Sequence, residues 1–398
     1  MPFLHPDAVP EKDVAYARLS RDWLISAGIA LAAIVGMIQL LLSQWVAETV
    51  GRWAILTGLA IFYELRIFKQ TLSLMHHPGE ETLTPGVSLV GWLTILAGLG
   101  YALLAGFLLV TPPEGALAWL PSGLAACALA ADGLAVLLSR RRKQKTVGDV
   151  HLAREFRALG MLIITALAIH YGKLPAWLLI IGIMDYLHLF TGSWLERQEK
   201  SLQPPPAQPR RFLQSLYMIA IGVSLWPAVP SRYAAILSLL FGLPYFLIAL
   251  RDWFILAGLL DPDQSHYRQA TEAVNRALTG WLALSIRLLA AMATATVAAD
   301  MIFHFDLYAG AFSDALYAGG VALMLFVALP FLFVGVRVRI FGLIAFAALF
   351  IILLVMGQNT VILAGLLLLG LGIILGPGNL AVEKENPPQQ PPPLHPEH

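Results

Sequence analysis

Charged side chains are scarce in this chain: only 13% of its 398 residues are Asp, Glu, Lys or Arg, and 58% are hydrophobic. An ordinary soluble domain carries about 25% charged residues, which give it a polar surface. Because this composition cannot supply such a surface, lipid must cover much of the protein. The net charge of +1 also provides no basic surface, so we expect no nucleic-acid partner.

Cysteine is almost absent as well. The single Cys127 lies in an apolar run. It excludes an intrachain disulfide and any metal site built from paired cysteines. The chain also lacks the purely basic start of a secretory signal peptide, because Asp7, Glu11 and Asp13 precede the first apolar run. We therefore expect that run to be a retained helix.

Period-two alternation is missing too, and the apolar runs continue over roughly 20 residues, the length of a transmembrane helix. The sequence thus predicts an all-α, polytopic transmembrane helical bundle of about twelve spans. Arg52 and Glu64 lie at the ends of the second span, which makes it the least apolar of the set. The predicted spans are 23–42, 49–65, 87–110, 116–138, 156–172, 174–195, 212–229, 232–250, 279–299, 315–335, 340–356 and 360–376.

The positions of Lys and Arg give an independent test of these spans. If the N-terminus faces the cytoplasm, nearly all loop Lys and Arg fall on inner segments, whereas only Arg52, Lys173 and Arg232 fall on outer ones. This is the positive-inside bias. It predicts a multi-pass protein of a bacterial-type inner (plasma) membrane with both termini in the cytoplasm.

Two proline-rich stretches, 201–211 and the tail 377–398, interrupt the helical pattern, and we expect the tail to be disordered. Between the eighth and ninth spans, the segment 256–278 predicts an amphipathic cytoplasmic helix from His266 to Leu278, with Ser265 as its N-cap.

Ionisable groups inside spans are costly and often functional. Asp185 and His188 are three residues apart, so they share a helix face and could hydrogen-bond to each other. Arg287 needs a partner such as Asp300, or must reach an interface. The candidates are Asp132, His170, Asp185, His188 and Arg287.

Asp132 is distinguished by the residues that come after it. Gly133 would let a ligand approach the backbone, and Arg140 and Arg141 begin a basic run eight residues later. Gly148 lies beyond that run on the predicted cytoplasmic side. Such surroundings suit a phosphate group on a lipid or nucleotide, although the basic run also has a plain explanation as a topology signal.

This arrangement resembles the CDP-alcohol phosphatidyltransferase family, whose signature is D-x2-D-G-x2-A-R-x8-G-x3-D-x3-D. The resemblance covers about residues 84–255 and includes Arg251-Asp252-Trp253 after the eighth span. It implies a six-helix core that transfers a phosphatidyl or phosphoalcohol group with release of CMP, as in phospholipid biosynthesis. The rest of the chain would then be a two-helix segment at 1–83, the cytoplasmic segment 256–278, a four-helix membrane domain at 279–376 and the tail.

Only Asp132 and Gly133 match the signature directly. The first aspartate of the signature falls on Leu129. No alignment of the signature with this chain places a carboxylate at its last two aspartates. In the alignment that puts the signature glycine at Asp149, the final aspartate falls on Arg157. In the family these carboxylates hold Mg²⁺ or Mn²⁺. Here Asp132 and Asp149 are the candidate metal ligands, and Asp132 and Glu155 the candidate catalytic groups. Gly133, Arg140, Arg141 and Gly148 are the candidate substrate-binding residues.

Three functions are compatible with these observations. The chain could be a transferase that acts on a CDP-linked lipid with Mg²⁺ or Mn²⁺, or an inactive homologue that binds lipid or nucleotide without a cofactor. A twelve-span transporter is the third alternative, although no matched pair of broken helices marks an inverted repeat. Membrane lipid is an expected partner in each case, and the sequence leaves a homodimer open.

Overall fold

The computed structural model describes residues 11–80, 82–142, 146–196, 208–262, 264–357 and 359–376. These residues form fourteen α-helices joined by short loops and 3-10 turns. The helices are α1 (Glu11–Leu42), α2 (Ala47–Thr71), α3 (Leu89–Ala105), α4 (Leu120–Arg142), α5 (Val147–His170), α6 (Leu179–Glu196), α7 (Gln208–Ser224), α8 (Ser231–Leu256), α9 (Ser265–Thr279), α10 (Trp281–Phe303), α11 (Phe305–Ala311), α12 (Ala315–Val334), α13 (Val338–Met356) and α14 (Thr360–Leu375).

Among the described residues, eight helical segments are long and apolar enough to cross a membrane. They contain α1, α3, α4, α6, α8, α10, α12 and α13. The other four predicted spans also fall on helices, namely α2, α5, α7 and the shorter apolar α14. The prediction of a helical membrane protein is therefore confirmed, whereas the count of twelve crossings stays a prediction.

Large apolar side chains cover the outside of these helices. Phe62 and Phe190 are 67% and 70% exposed, and Leu316 is 79% exposed. A soluble protein rarely exposes so many large apolar side chains. Hydrocarbon chains of lipid would cover it without cost, which explains how a chain this apolar can remain folded.

The chain divides into two compact units, Met1–Leu260 and Asp261–His398. In the first unit, α3 packs against α4 and α5, α7 packs against α8, and α1 and α2 pack against each other. Helix α2 also contacts α3 and α5. The two N-terminal helices thus belong to the same compact unit as the 84–255 segment and do not form a unit of their own.

Glycine allows the central helices of the first unit to come close together. A Cβ atom added at Gly160 on α5 would lie 2.5 Å from the ring of Tyr101 on α3, which is fully buried. The Tyr101 ring therefore sits directly on the α5 backbone. Small residues at such contacts are typical of helix pairs in membranes, where close packing replaces the hydrophobic effect between helices.

The second unit is built around α10, which packs against α12 and α14, while α13 packs against α12 and α14. Helix α12 ends at Gly335, whose positive φ of 80° gives the left-handed conformation usual after a helix. Asn359 caps α14 by accepting a hydrogen bond from the backbone N–H of Val361 at 2.9 Å.

Two predictions about the second unit need correction, and one helix was not predicted. The amphipathic helix exists as α9, but Gln264 occupies the N-cap and makes no side-chain hydrogen bond, so Ser265 is not the cap. Arg287 is buried, and Asp300 lies thirteen residues later on the same helix, about 20 Å along its axis, which is beyond the reach of an ion pair. Asp300 instead accepts hydrogen bonds from His304 and Tyr308. The short helix α11 was not predicted.

Candidate functional site

Polar side chains of the first unit gather near the ends of α4, α6 and α8 and the beginnings of α5 and α7. Asp132 lies ten residues before the end of α4, and Arg157 lies ten residues after the start of α5. A short connection joins these two helix ends. Each residue therefore lies about 15 Å from the connection along its helix axis, and the two are at the same level in the bundle. This depth places their charges among otherwise apolar helices.

Asp132 and Arg157 form a bidentate ion pair. Arg157 Nε donates to Asp132 Oδ2 at 3.1 Å, and Arg157 Nη2 donates to Oδ1 at 2.7 Å. Each side chain is only 14% exposed. Both carboxylate oxygens of the only matching signature aspartate are therefore held by a guanidinium group. Planar bidentate pairing of this kind is the strongest form of ion pair available to arginine.

Asp185 on α6 is the centre of a second network. Its carboxylate accepts hydrogen bonds from Arg210 at 2.8 Å, from Tyr245 at 2.7 Å and from Gln214. These donors come from α7 and α8, so one buried carboxylate ties three helices together. Satisfying a buried carboxylate with several donors is what makes its burial tolerable.

The predicted hydrogen bond between Asp185 and His188 is absent. His188 Nδ1 donates instead to the carbonyl oxygen of Met184 at 2.8 Å, one turn earlier on the same helix. His188 is 2% exposed, and its Nε2 has no hydrogen-bond partner among the described residues. A nitrogen atom in the polar region is therefore available to a ligand.

Asp252 extends the second network to the end of α8. Arg251 binds its carboxylate through two nitrogen atoms at 3.0 and 2.6 Å, and Arg210 Nη1 lies 4.0 Å from its other oxygen. The Asp252 side chain is 2% exposed, whereas that of Arg251 is 38% exposed. Arg251 thus connects a buried network to the surroundings of the helix bundle. We call Asp185, His188, Arg210, Gln214, Tyr245, Arg251 and Asp252 the Asp185 network.

The other candidate residues serve local structure. Asp149 forms a capping box at the start of α5: Thr146 Oγ1 accepts from its backbone N–H at 3.0 Å, and its carboxylate accepts from the Thr146 N–H at 3.2 Å. Ser88 donates to the same carboxylate at 2.9 Å. A Cβ atom at Gly148 would lie 2.8 Å from the Met75 sulfur, so this glycine permits close packing.

The remaining site residues are dispersed. Glu155 accepts a long hydrogen bond from Tyr63 on α2 at 3.3 Å. Gly133 is exposed, with open space where a side chain would be. Arg140 and Arg141 belong to the last turn of α4, and their side chains lie outside the described residues. His170 is exposed, and its Nε2 lies 2.8 Å from the carbonyl oxygen of Val110.

The described residues do not fit a divalent metal ion of the family's kind. Mg²⁺ requires several oxygen ligands at one point, yet the Asp132 oxygens are bound by Arg157 and the Asp149 carboxylate closes a helix cap. Within the described part of the chain, no group of three His, Cys, Asp or Glu side chains is placed to hold a metal. The function proposed for this protein therefore uses neither Mg²⁺ nor Mn²⁺.

Comparison of the chain with protein-family models, with curated proteins and with solved structures found no match. The resemblance to CDP-alcohol phosphatidyltransferases thus depends on the sequence pattern alone. What the structure supports directly is an integral membrane protein made of apolar helices, with two buried networks of charged side chains in its first unit.

Sequence reasoning missed most of the Asp185 network. Arg210 lies in the proline-rich stretch and looked like a loop charge, and Tyr245 and Gln214 lie in ordinary apolar runs. Arg251 and Asp252 were noticed only as part of the family resemblance. A signal existed, because Gln214 and Tyr245 are polar groups inside spans, but the sequence could not indicate that they face the same carboxylate.

Proposed function

We propose that this protein is a membrane-embedded homologue of CDP-alcohol phosphatidyltransferases that binds a phosphate-bearing lipid headgroup, such as that of a CDP-linked lipid, without transferring it. The observation that carries this proposal is the ion pair between Asp132 and Arg157. It occupies the one carboxylate that matches the family signature.

Arg157 is the residue of this ion pair that could bind a phosphate group. In the register with the signature glycine at Asp149, Arg157 replaces the final aspartate, so a positive group stands where the family has a negative one. A guanidinium group neutralises a carboxylate without any metal, and it recognises phosphate through the same planar geometry. A phosphate group would bind the Arg157 guanidinium beside Asp132, whose pairing uses only Nε and Nη2.

The Asp185 network supports the same ligand class. Arg251 is partly exposed at the edge of this network, where its guanidinium group can be reached by a ligand. A phosphate group accepts hydrogen bonds at several oxygens and so suits clustered arginine side chains. Because arginine binds phosphate through charge-assisted hydrogen bonds, we expect binding to be selective for anionic headgroups and weaker at high salt.

Two measurements on the purified protein in lipid nanodiscs test this function. The first is saturable binding of radiolabelled CDP-diacylglycerol, which we expect for the natural protein and expect to weaken about tenfold or more in the double variant Asp132→Leu with Arg157→Met, which leaves neither buried charge without its partner. Glu48→Ala, which removes an exposed charge on α2, is the matched control and should bind normally. Absence of saturable binding would contradict the proposal.

The second measurement is release of CMP from CDP-diacylglycerol with Mg²⁺ or Mn²⁺ and a panel of alcohols. We expect no release above background, and no difference between the natural protein and Asp132→Ala. Metal-dependent release that Asp132→Ala abolishes would show a transferase instead. Counterflow uptake of a substrate into proteoliposomes would favour the transporter alternative.

A further inference from the structure

A groove on the first unit lies between the two N-terminal helices and α3, away from the charged networks. Its walls are apolar and include Ile29 on α1, Ile61 on α2 and Leu96 on α3. Its enclosed part is small, about 20 Å³, which is room for a group of the size of water such as a hydroxyl, and the rest of the groove is open to its surroundings. We call it the N-terminal groove.

One acidic side chain interrupts the apolar lining. Glu64 on α2 lines the groove and is only 6% exposed. Its Oε1 atom is fully buried and has no hydrogen-bond partner among the described residues. A buried polar group without a partner costs free energy, so its presence needs an explanation.

The structure makes room for this carboxyl group. A Cβ atom at Gly98 on α3 would lie 3.1 Å from Glu64 Oε1, so any larger residue there would crowd the acid. Phe156 also lines the groove beside it. The walls around the carboxyl group are apolar, and no lysine or arginine in the described part of the chain is seen paired with it. A ligand is therefore the natural source of a hydrogen-bond donor.

We propose that the N-terminal groove binds a membrane lipid with one hydrocarbon chain and a free hydroxyl group. This hydroxyl donates a hydrogen bond to Glu64. The apolar walls match a hydrocarbon chain, and the two rim residues Ile29 and Leu96, which are 40% and 45% exposed, leave an entry for it. Lipid is also the solvent that surrounds these helices.

The donor chemistry favours a hydroxyl over a cation. A metal ion needs several oxygen ligands, and an ammonium group has three donors to satisfy. Of the other polar side chains that line the groove, Ser26 already donates to the Trp23 carbonyl oxygen at 2.7 Å and Trp92 carries only a donor, so Glu64 Oε1 is the buried lining atom that lacks a partner among the described residues. One hydroxyl group on a neutral molecule gives Glu64 Oε1 the donor that it lacks.

Photolabelling tests the proposal. The probe is a sixteen-carbon alcohol with a diazirine on its chain, added to the full-length protein in nanodiscs, and its methyl ether is the matched probe without the donor. Mass spectrometry locates the label. We expect the alcohol to label peptides of α1–α3 about five- to tenfold more than the ether does, which is the effect of one hydrogen bond. Equal labelling by the two probes would overturn the proposal.

Substitutions locate the binding. Ile29→Trp should fill the groove and reduce the alcohol-specific labelling at least fivefold, whereas Leu31→Trp, at a 63% exposed position on the same helix, should leave it unchanged. Glu64→Leu should remove the difference between alcohol and ether. If Ile29→Trp leaves the alcohol-specific labelling intact, the groove is not the site.

Since CDP-diacylglycerol binding does not involve this groove, it should persist in Ile29→Trp, which separates this inference from the proposed function.

Discussion

Asp132 and Arg157 illustrate how the meaning of a residue depends on its partner. From the sequence, Asp132 was a remnant of a metal-binding motif and Arg157 one cation in a basic loop. In the structure each holds the other in place at 2.7 Å, deep enough that neither is well solvated. Removing one partner would leave the other charge buried without a counter-charge. This lowers the stability of the fold far more than removing both partners does.

We therefore expect Asp132→Ala to lower the free energy of unfolding by about 3–5 kcal/mol, the cost of breaking a buried ion pair. Replacing both partners with apolar residues, Asp132→Leu with Arg157→Met, should recover most of this loss. Thermal unfolding in detergent measures both. Glu48→Ala breaks an exposed i,i+4 pair, and this control should cost about 0.3–0.5 kcal/mol. A double variant no more stable than Asp132→Ala would show that the ion pair is not what holds these helices.

At the scale of the helix, close contacts decide where an apolar segment packs. Periodicity identified α3 and α5 as helices, but it did not indicate which face of each one meets the other. The structure places Gly160 under the Tyr101 ring. A small residue at this point sets the distance between the two helix axes.

Gly160→Ala tests this contact. Its new methyl group would lie 2.5 Å from Tyr101 ring atoms, so the ring or the helix must move. We expect a loss of about 1–3 kcal/mol, as for other overpacked cores. Gly123→Ala on α4 meets open space, and it should instead stabilise its helix by about 0.5–1 kcal/mol. Thermal unfolding of the two variants should therefore shift in opposite directions.

At the scale of the whole molecule, charge distribution predicts orientation. The loops rich in Lys and Arg alternate with loops that have almost none, which predicts that both termini lie in the cytoplasm. The packing of the helices is the same for either orientation, so orientation has to be measured in the membrane. Cysteine labelling measures it, and the chain is well suited to this method since Cys127 is its only cysteine.

In a Cys127→Ala background, a membrane-impermeant maleimide should label Ala176→Cys in intact cells. It should label Gln264→Cys only after the membrane is permeabilised. Both positions are exposed and lie between helices or at a helix start, so neither substitution disturbs packing. Labelling of Gln264→Cys in intact cells would invert or break the predicted topology.

The amino-acid sequence by itself determined the class of protein and the positions of its helices. Long apolar runs and few charges leave no other stable fold in lipid, and those properties are local. It also marked Asp132, Asp185 and His188 as unusual. Only the tertiary structure decided what these groups contact: Asp132 pairs with Arg157, Asp185 gathers donors from two other helices, and Glu64 faces an apolar groove. The physical reason is that side-chain partners in a helical bundle are set by which faces pack together, and the apolar faces of membrane helices are too alike in sequence to reveal that choice.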